Sequence, residues 1–194
     1  KAMIDSGNTT LDVIDVDAPT LLQGCDEGIF EPVPWDKIGD RSDWIDGTSS
    51  DCGVGTVVYA TVLSYDSEKL KDAPTKLADL FDLKTFPGKR GLWKNPATNL
   101  EFALLADGVA PGDVYAKLAT PEGVDQAFAK LDTIKSQIVW WEAGAQAPQL
   151  LASGEVSMTT AWNGRIFNAN KEGRKFGIVW DNQILDTDFW AIPK

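Results

Sequence analysis

Residues 55–65 read Gly55-Thr56-Val57-Val58-Tyr59-Ala60-Thr61-Val62-Leu63-Ser64-Tyr65. The run is dominated by β-branched and aromatic residues, which favour extended backbone. It is about twice as long as the common strand of roughly 5–6 residues. A strand of this length is typical of one that begins in one lobe of a protein and ends in another. The run therefore predicts a passage between two lobes.

Helix and strand patterns alternate on the carboxyl side of this run. Strands are predicted at residues 90–93, 138–141, 156–162 and 176–180, and residues 183–193 are again extended. Helices are predicted at residues 74–81, 98–107, 147–153 and 165–171, and from Thr120 with an apolar face of Val124, Phe128, Leu131 and Ile134. On the amino side, a strand over 11–16 and a helix from Pro19 precede a loop-rich stretch, 31–52. This alternation indicates an α/β fold, in which ligands bind outside the ends of the strands.

The composition excludes several function classes. The chain has 194 residues, with 29 Asp and Glu against 18 Lys and Arg, a formal net charge of −11, and no histidine. Nucleic acids and anionic membranes select basic surfaces, so neither is an expected partner. Without histidine the usual general base and the commonest zinc ligand are missing, and no metal or cofactor is expected. No phosphate-binding loop, dinucleotide fingerprint or hydrolase motif occurs, and no apolar run reaches the roughly 18 residues of a membrane span.

Asp186 and Asp188 form the first candidate site. If residues 184–192 are a strand, its period of two places both carboxylates on one face, about 6–7 Å apart. Such a pair suits an ammonium, a metal ion or a paired acid and base. The alternative is a solvated strand end or turn, where aspartate is common.

Three strand-to-helix corners carry further candidates. Trp141 and Glu142 precede a glycine turn, where an aromatic ring and a carboxylate can bind an amine; alternatively one tryptophan is core and Glu142 lies near a helix N-terminus. Trp162 ends an apolar strand and suits either the core or a ligand platform. Asp17 suits either a ligand contact or a simple helix N-cap.

The two cysteines, Cys25 and Cys52, lie in loop-rich sequence. They have no CxxC spacing and no metal-binding neighbours. We expect a disulfide, which indicates an oxidising compartment such as the periplasm. The alternative is two unrelated buried thiols.

Several stretches together resemble one protein family, the spermidine/putrescine-binding proteins of ABC importers. The stretches, in order, are Leu11-Asp12-Val13-Ile14-Asp15, Gly28-Ile29-Phe30-Glu31-Pro32, Phe86-Pro87-Gly88-Lys89-Arg90-Gly91, Leu151-Ala152-Ser153-Gly154-Glu155-Val156, Ala161-Trp162-Asn163-Gly164 and Phe189-Trp190-Ala191-Ile192-Pro193-Lys194. Each stretch is weak alone, but their order and spacing extend across nearly the whole chain.

The resemblance implies a fold and a domain organisation. Its members are secreted α/β proteins of the periplasmic-binding-protein type II class, with two lobes joined by crossover strands and the ligand held in the cleft between them. They are longer than this chain, so lobe one is expected to be incomplete. Residues 1–56 are assigned to partial lobe one, 57–183 to lobe two, and 184–194 to the crossover strand returning to lobe one. The signal peptide is expected to lie outside the sequence, and the location to be periplasmic.

The resemblance also carries over some site residues. Trp162 matches a ligand-stacking tryptophan, and Asp188 matches a carboxylate that binds an amine. Asp186 and Asp17 stand where the family has an aromatic and a small hydroxyl residue. The acidic pair at the start of the first lobe-two helix is replaced by Asn95 and Thr98.

The function predicted is capture of a small cationic solute of the putrescine or spermidine type, delivered to the permease subunits of an ABC importer by a monomeric, non-enzymatic protein. The ligand-binding residues predicted are Asp188, Trp162, Asp186, Glu142, Trp141 and Asp17. A second hypothesis keeps the fold and exchanges the cargo for an amino acid, a betaine or a sugar, with Arg165 facing a carboxylate. A third is a carbohydrate-active enzyme that uses Asp186 and Glu142 as acid and base.

Overall fold

A computed structural model describes residues 2–70 and 72–194. The chain divides into two compact units: unit 1 contains Lys1–Tyr59 and Leu185–Lys194, and unit 2 contains Ala60–Ile184. Two long strands, Val54–Asp66 and Phe176–Ala191, each contribute residues to both units. The long strand expected at 55–65 is confirmed. The lobe boundaries assigned to the whole protein stay a prediction, and each unit is described by itself.

The strands and helices follow the alternating order expected from the sequence. The strands are β1 (Ile14–Asp17), β2 (Val54–Asp66), β3 (Arg90–Trp93), β4 (Ile138–Trp141), β5 (Met158–Trp162) and β6 (Phe176–Ala191). The α-helices are α1 (Ala2–Asp5), α2 (Ala18–Asp26), α3 (Trp35–Ile38), α4 (Asn99–Ala106), α5 (Val114–Leu118), α6 (Pro121–Asp132), α7 (Gln146–Ser153) and α8 (Asn163–Lys171). Short 3₁₀ helices occur at Arg41–Asp43, Leu77–Phe81, Pro111–Asp113 and Lys135–Gln137. No helix in the described part of the chain is long and apolar enough to span a bilayer.

Unit 2 is built on a mixed sheet in which β2, β5, β3 and β4 are successive neighbours. β3 runs parallel to β4 and to β5, whereas β2 is antiparallel to β5. Residues 158–161 of β5 are all buried, as expected for a strand covered on both faces. Because β3, β4 and β5 run in one direction, their carboxyl ends lie at one edge of the sheet.

The core of unit 2 lies on both faces of this sheet. One cluster of buried residues comprises Leu63, Leu80, Phe86, Leu92, Ile134, Met158 and Val179. A second comprises Trp141, Ala147, Leu151, Val156, Ala161, Ile166 and Phe176. Helix α7 ends at Gly154 in the left-handed conformation (φ 76°), which a residue without a Cβ adopts at little cost.

Three local predictions are wrong. The strand expected at 11–16 is confined to β1, and the helix expected at 74–81 is the 3₁₀ helix Leu77–Phe81. Thr98 precedes α4 at φ 67° and makes no side-chain capping bond to that helix. Phe128 of α6 is half exposed, although Leu131 on the same predicted face packs against the core. The helix also buries Gly123 and Ala127, and a Cβ on Gly123 would overlap the Lys117 carbonyl.

Unit 1 pairs β1 antiparallel with the end of β6. Its buried cluster comprises Leu21, Phe30, Cys52, Phe189 and Ala191. The expected disulfide between Cys25 and Cys52 is confirmed, and it closes a loop with a sequence separation of 27. The loop-rich stretch 31–52 therefore is anchored at its carboxyl end to helix α2.

Removing the disulfide is expected to destabilise unit 1. Replacing both Cys25 and Cys52 by alanine lowers the free energy of unfolding by about 3 kcal/mol, because the unfolded chain regains the entropy that the cross-link removed. Denaturant unfolding of the oxidised protein and of the double variant measures the difference. A reducing agent added to the wild type should reproduce most of the loss and should leave the double variant unchanged. Equal unfolding midpoints for all samples would show that the cross-link contributes nothing.

Candidate functional site

Four aspartates share one face of the β1–β6 pair in unit 1. The register places Asp17 opposite Asp188 and Asp15 opposite Trp190. Residues directly opposite one another in an antiparallel pair point to the same side, and so do residues two apart in one strand. Asp15, Asp17, Asp186 and Asp188 therefore lie on one face, which we call the acidic face. The opposite face packs Val16 and Phe189 into the core.

The acidic face is crowded with like charges. Partial burial raises the pKa of Asp188, and the charges of Asp15, Asp186 and Asp17 raise it further. Burial, then Asp17, raises the pKa of Asp186, although the Thr187 N–H donates to its Oδ1 at 2.7 Å and opposes the shift. Among residues 2–70 and 72–194, no Lys or Arg side chain forms an ion pair with these four carboxylates. The face therefore favours a cation that the described chain does not itself supply.

Tyr59 borders the acidic face. Its hydroxyl lies 3.4 Å from Oδ2 of Asp186, to which it donates. Burial, followed by the charges of Asp186, Asp188 and Asp17, raises the pKa of Tyr59, so the phenol stays neutral and remains a donor. Trp190, opposite Asp15, is 58% exposed and adds an aromatic ring on the same face. Carboxylates beside accessible aromatic rings suit an alkyl ammonium.

Asp17 performs the capping role that the sequence offered as an alternative. Its Oδ1 accepts the Thr20 N–H at 2.9 Å at the start of α2. The same side chain lies opposite Asp188 in the sheet. One oxygen thus orders the helix while the carboxylate charge acts on the acidic face.

Three tryptophans end the three parallel strands of unit 2. Trp93, Trp141 and Trp162 are the last residues of β3, β4 and β5. The rings of Trp93 and Trp141 are stacked with centroids 6.0 Å apart, and Trp162 stands edge-on to both at 5.7 and 5.6 Å. Only 1% of Trp141 is exposed, so it supports the other two rings rather than presenting a surface of its own.

Trp162 begins a tightly held corner. The Asn163 side-chain oxygen accepts the Ala60 N–H at 3.0 Å, which fixes the start of α8 to β2. Arg165 follows in the first turn of α8 and is exposed. In the described part of the chain, its guanidinium has no carboxylate partner. It lines a hollow of about 320 Å³ between α7 and α8.

Glu142 is already paired. Lys94 donates to its Oε1 at 2.6 Å, and both side chains are largely exposed. The Lys94 hydrogen bond and charge lower the pKa of Glu142. A surface carboxylate held ionised in this way makes a poor general acid, so the pair of Asp186 and Glu142 postulated for an enzyme gains no support. Within the described residues, no group of three or more Cys, Asp or Glu is arranged to hold a metal ion.

The structure brings three of the predicted residues together and adds others. Asp17, Asp186 and Asp188 share the acidic face, whereas Trp141, Glu142 and Trp162 belong to unit 2. Sequence reasoning missed Asp15, Tyr59, Trp190 and Trp93. The alternation within 14–17 and 186–190 indicates which residues of each strand share a face. No local signal in the sequence shows that β1 and β6 pair with each other.

Sequence comparison assigns the whole chain to a family. Residues 1–194 match the model of the bacterial extracellular solute-binding proteins, so the chain belongs to that family. The predicted α/β periplasmic-binding-protein fold is thereby confirmed.

Within this family, the chain is similar to several individual proteins of known name. The chain is 53% identical over 194 residues to the gamma-aminobutyric acid-binding protein of Pseudomonas aeruginosa, covering all of the chain and 55% of that protein. It superimposes with a TM-score of 0.89 on a solved GABA receptor, at 36% identity over 100% of the chain and 59% of the receptor. It superimposes with a TM-score of 0.90 on the PBP MotA from A. tumefaciens B6 in complex with glucopine, at 36% identity over 100% of the chain and 60% of that protein. The chain thus spans little more than half the length of these relatives.

These comparisons refine the resemblance stated above. The assignment to solute-binding proteins is confirmed, but the spermidine/putrescine branch is not the one that these relatives indicate. Their names refer to gamma-aminobutyric acid (GABA) and glucopine. They are binding proteins and receptors by name, in agreement with a non-enzymatic role.

Proposed function

We propose that the full-length protein is the periplasmic solute-binding component of an ABC importer and that its solute is a small ω-amino acid of the GABA class. It delivers this solute to the permease subunits. The observation that carries the proposal is the acidic face, where four carboxylates lie together without a cation from the described chain. The 53% identity to a GABA-binding protein over the whole chain supports the cargo.

The acidic face is assigned to the ammonium end of the solute. A primary ammonium offers three donors, and charge-assisted hydrogen bonds to carboxylates are about twice as strong as neutral ones. We assign these bonds to Asp188 and Asp186, which share one face and whose pKa is raised by partial burial and by neighbouring carboxylates. The solute thus neutralises a repulsion already present in the ligand-free protein.

Unit 2, taken by itself, offers a candidate group for binding a carboxylate at the corner after β5. Arg165 has no carboxylate partner in the described chain, and a guanidinium binds a carboxylate through two parallel hydrogen bonds. Trp162, three residues earlier in the chain at the end of β5, offers an apolar ring for the methylene stem.

In unit 2, the positions that the family resemblance implies for binding a second ammonium offer no free carboxylate. The carboxylate that follows β4, Glu142, is paired with Lys94. Asn95 and Thr98, near the start of α4, are neutral. An ammonium removed from water without a counter-charge is costly, so putrescine is expected to bind more weakly than GABA.

Arg165→Gln tests the assignment of the carboxylate. We expect the variant of the full-length protein to bind GABA about 10-fold more weakly, because the carboxylate of the solute loses its charged hydrogen-bond donor. Its melting temperature should not change, since the guanidinium has no ion-pair partner to lose. Titration calorimetry gives the affinity and a thermal melt gives the stability.

The matched control is Arg174→Gln, which removes an exposed arginine from the same hollow. It should leave the affinity for GABA within about 2-fold of the wild type, since surface charges of this kind contribute little. Wild-type affinity in Arg165→Gln, or equal losses in both variants, would contradict the assignment.

A further inference from the structure

Gly144 lies in the turn that connects β4 to α7. The backbone N–H groups of Glu142 and Ala143 both donate to the Gln146 side-chain oxygen at 2.8 Å, which holds this turn in place. Gly144 thus sits on a fixed segment directly after the carboxyl end of a parallel strand.

The Trp162 ring occupies the space that a side chain at Gly144 would need. A Cβ added to Gly144 would overlap the ring carbons Cζ3 and Cε3 of Trp162. Gly144 is not among the glycines with positive φ, so its backbone conformation is open to other residues. A side chain is therefore excluded at position 144 by the Trp162 indole and not by the backbone conformation of the turn.

Trp162 is consequently confined on several sides. Trp93 and Trp141 meet it edge-on at interplanar angles of 74° and 89°. Trp141 is itself immobilised by burial. The Gly144 backbone supplies the remaining contact, so a methyl group there has to tilt or displace the Trp162 ring.

We propose that Gly144 is a positioning residue for solute binding, which acts by fixing the orientation of the Trp162 indole. The inference rests on the proposed function, in which Trp162 is the apolar wall for the solute. Gly144 contributes through the ring that it holds and not through contact with the solute. A misplacement of a binding group by about 1 Å is enough to change the strength of an interaction many-fold.

Gly144→Ala in the full-length protein is the test, with GABA as the probe. The affinity measured by titration calorimetry should fall about 10-fold, and the near-ultraviolet circular dichroism of the ligand-free protein should change as the tryptophan cluster rearranges. Gly164→Ala is the matched control, because nothing lies within 4 Å of a Cβ there and it follows Trp162 by two residues. Gly164→Ala should leave both signals unchanged.

Gly144→Ala is also measured in a Trp162→Phe variant, whose smaller ring leaves room for the added methyl group. In that background Gly144→Ala should weaken GABA binding by less than about 2-fold, because the two changes act through one contact and are not additive. An equal loss in both backgrounds, or an unchanged affinity and dichroism in Gly144→Ala alone, would overturn the proposal.

Two further outcomes also decide the question. If Gly144→Ala does not fold, the double variant should regain a cooperative thermal transition, and its failure to do so counts against the ring contact. If the wild type binds no GABA, the proposed cargo is wrong. The dichroism of the ligand-free variants then still reports whether Gly144 fixes the ring.

Discussion

Asp188→Asn is expected to stabilise the ligand-free protein and to abolish tight binding of its solute. The carboxylate lies partly buried beside Asp15, Asp186 and Asp17, so its removal relieves a repulsion. The melting temperature should rise, but by no more than about 2 °C, because solvent screens the repulsion at this partly exposed carboxylate. The affinity for GABA should fall about 100-fold or more, because the ammonium loses its charged acceptor.

The pH dependence has a definite sign. The folded-state pKa values of Asp186 and Asp188 are raised, so their protonated forms favour the folded state. The stability that these groups contribute is therefore complete below their unfolded pKa values and is lost as the pH rises through the raised folded values. The affinity for an ammonium should change in the opposite direction and fall as the pH drops through the same raised values.

Asp125→Asn is the matched control, since it removes one charge from an exposed position on α6 in unit 2. It should change neither the melting temperature nor the affinity appreciably. Opposite signs for stability and binding separate a ligand-binding carboxylate from a structural one. A destabilised Asp188→Asn protein, or one with unchanged affinity for GABA, would show that the acidic face does not bind the ammonium of the solute.

Arg90→Met is expected to produce the largest loss of stability. Arg90 is fully buried in unit 2, where burial lowers its pKa to about 10, so it remains charged at neutral pH. Its guanidinium donates to the backbone carbonyls of Leu80, Asp82, Phe86 and Gly88 and to the hydroxyl of Ser157. Methionine fills the stem but leaves these acceptors unsatisfied, at a cost of about 1–3 kcal/mol for each that stays buried and dry.

The free energy of unfolding should therefore fall by about 4 kcal/mol or more in denaturant titrations. Arg90→Lys keeps the charge but has fewer hydrogen-bond donors. Its free energy of unfolding should therefore lie between those of Arg90→Met and the wild type. If Arg90→Met is too unstable to purify, the lysine variant supplies the measurement. Arg174→Met, at an exposed position, should change stability by less than about 0.5 kcal/mol. A loss below about 1 kcal/mol in Arg90→Met would contradict the bracing role of the guanidinium.

Much of the fold was predictable from local pattern. The long β-branched run gave β2, and Gly154 correctly marked the end of α7. The three short parallel strands were located between turn residues, although only β4 is an uninterrupted apolar run and β3 begins with Arg90. Phe128 was the misleading residue of the predicted apolar face on α6, because it is half exposed, whereas Leu131 and Ile134 pack into the core as the spacing predicts.

The sequence predicted which site residues lie together only where they belong to the same strand. Asp186 and Asp188 share a face by the period of β6, whereas Asp15 joins them through pairing with a strand about 170 residues away in the chain. No single-sequence signal sets that register. Likewise, the alternation of β4 required one of Trp140 and Trp141 to be buried but did not show which. The ion pair between Lys94 and Glu142 depends on the register of β3 and β4, which the sequence does not set.

Titration calorimetry of GABA and putrescine against the wild-type full-length protein at pH 7 is the most direct test of the central claim. We predict a saturable heat of binding for GABA and an affinity for putrescine about 100-fold weaker, since its second ammonium lacks a counter-charge. Putrescine binding as tightly as GABA, or no heat with GABA, would contradict the account.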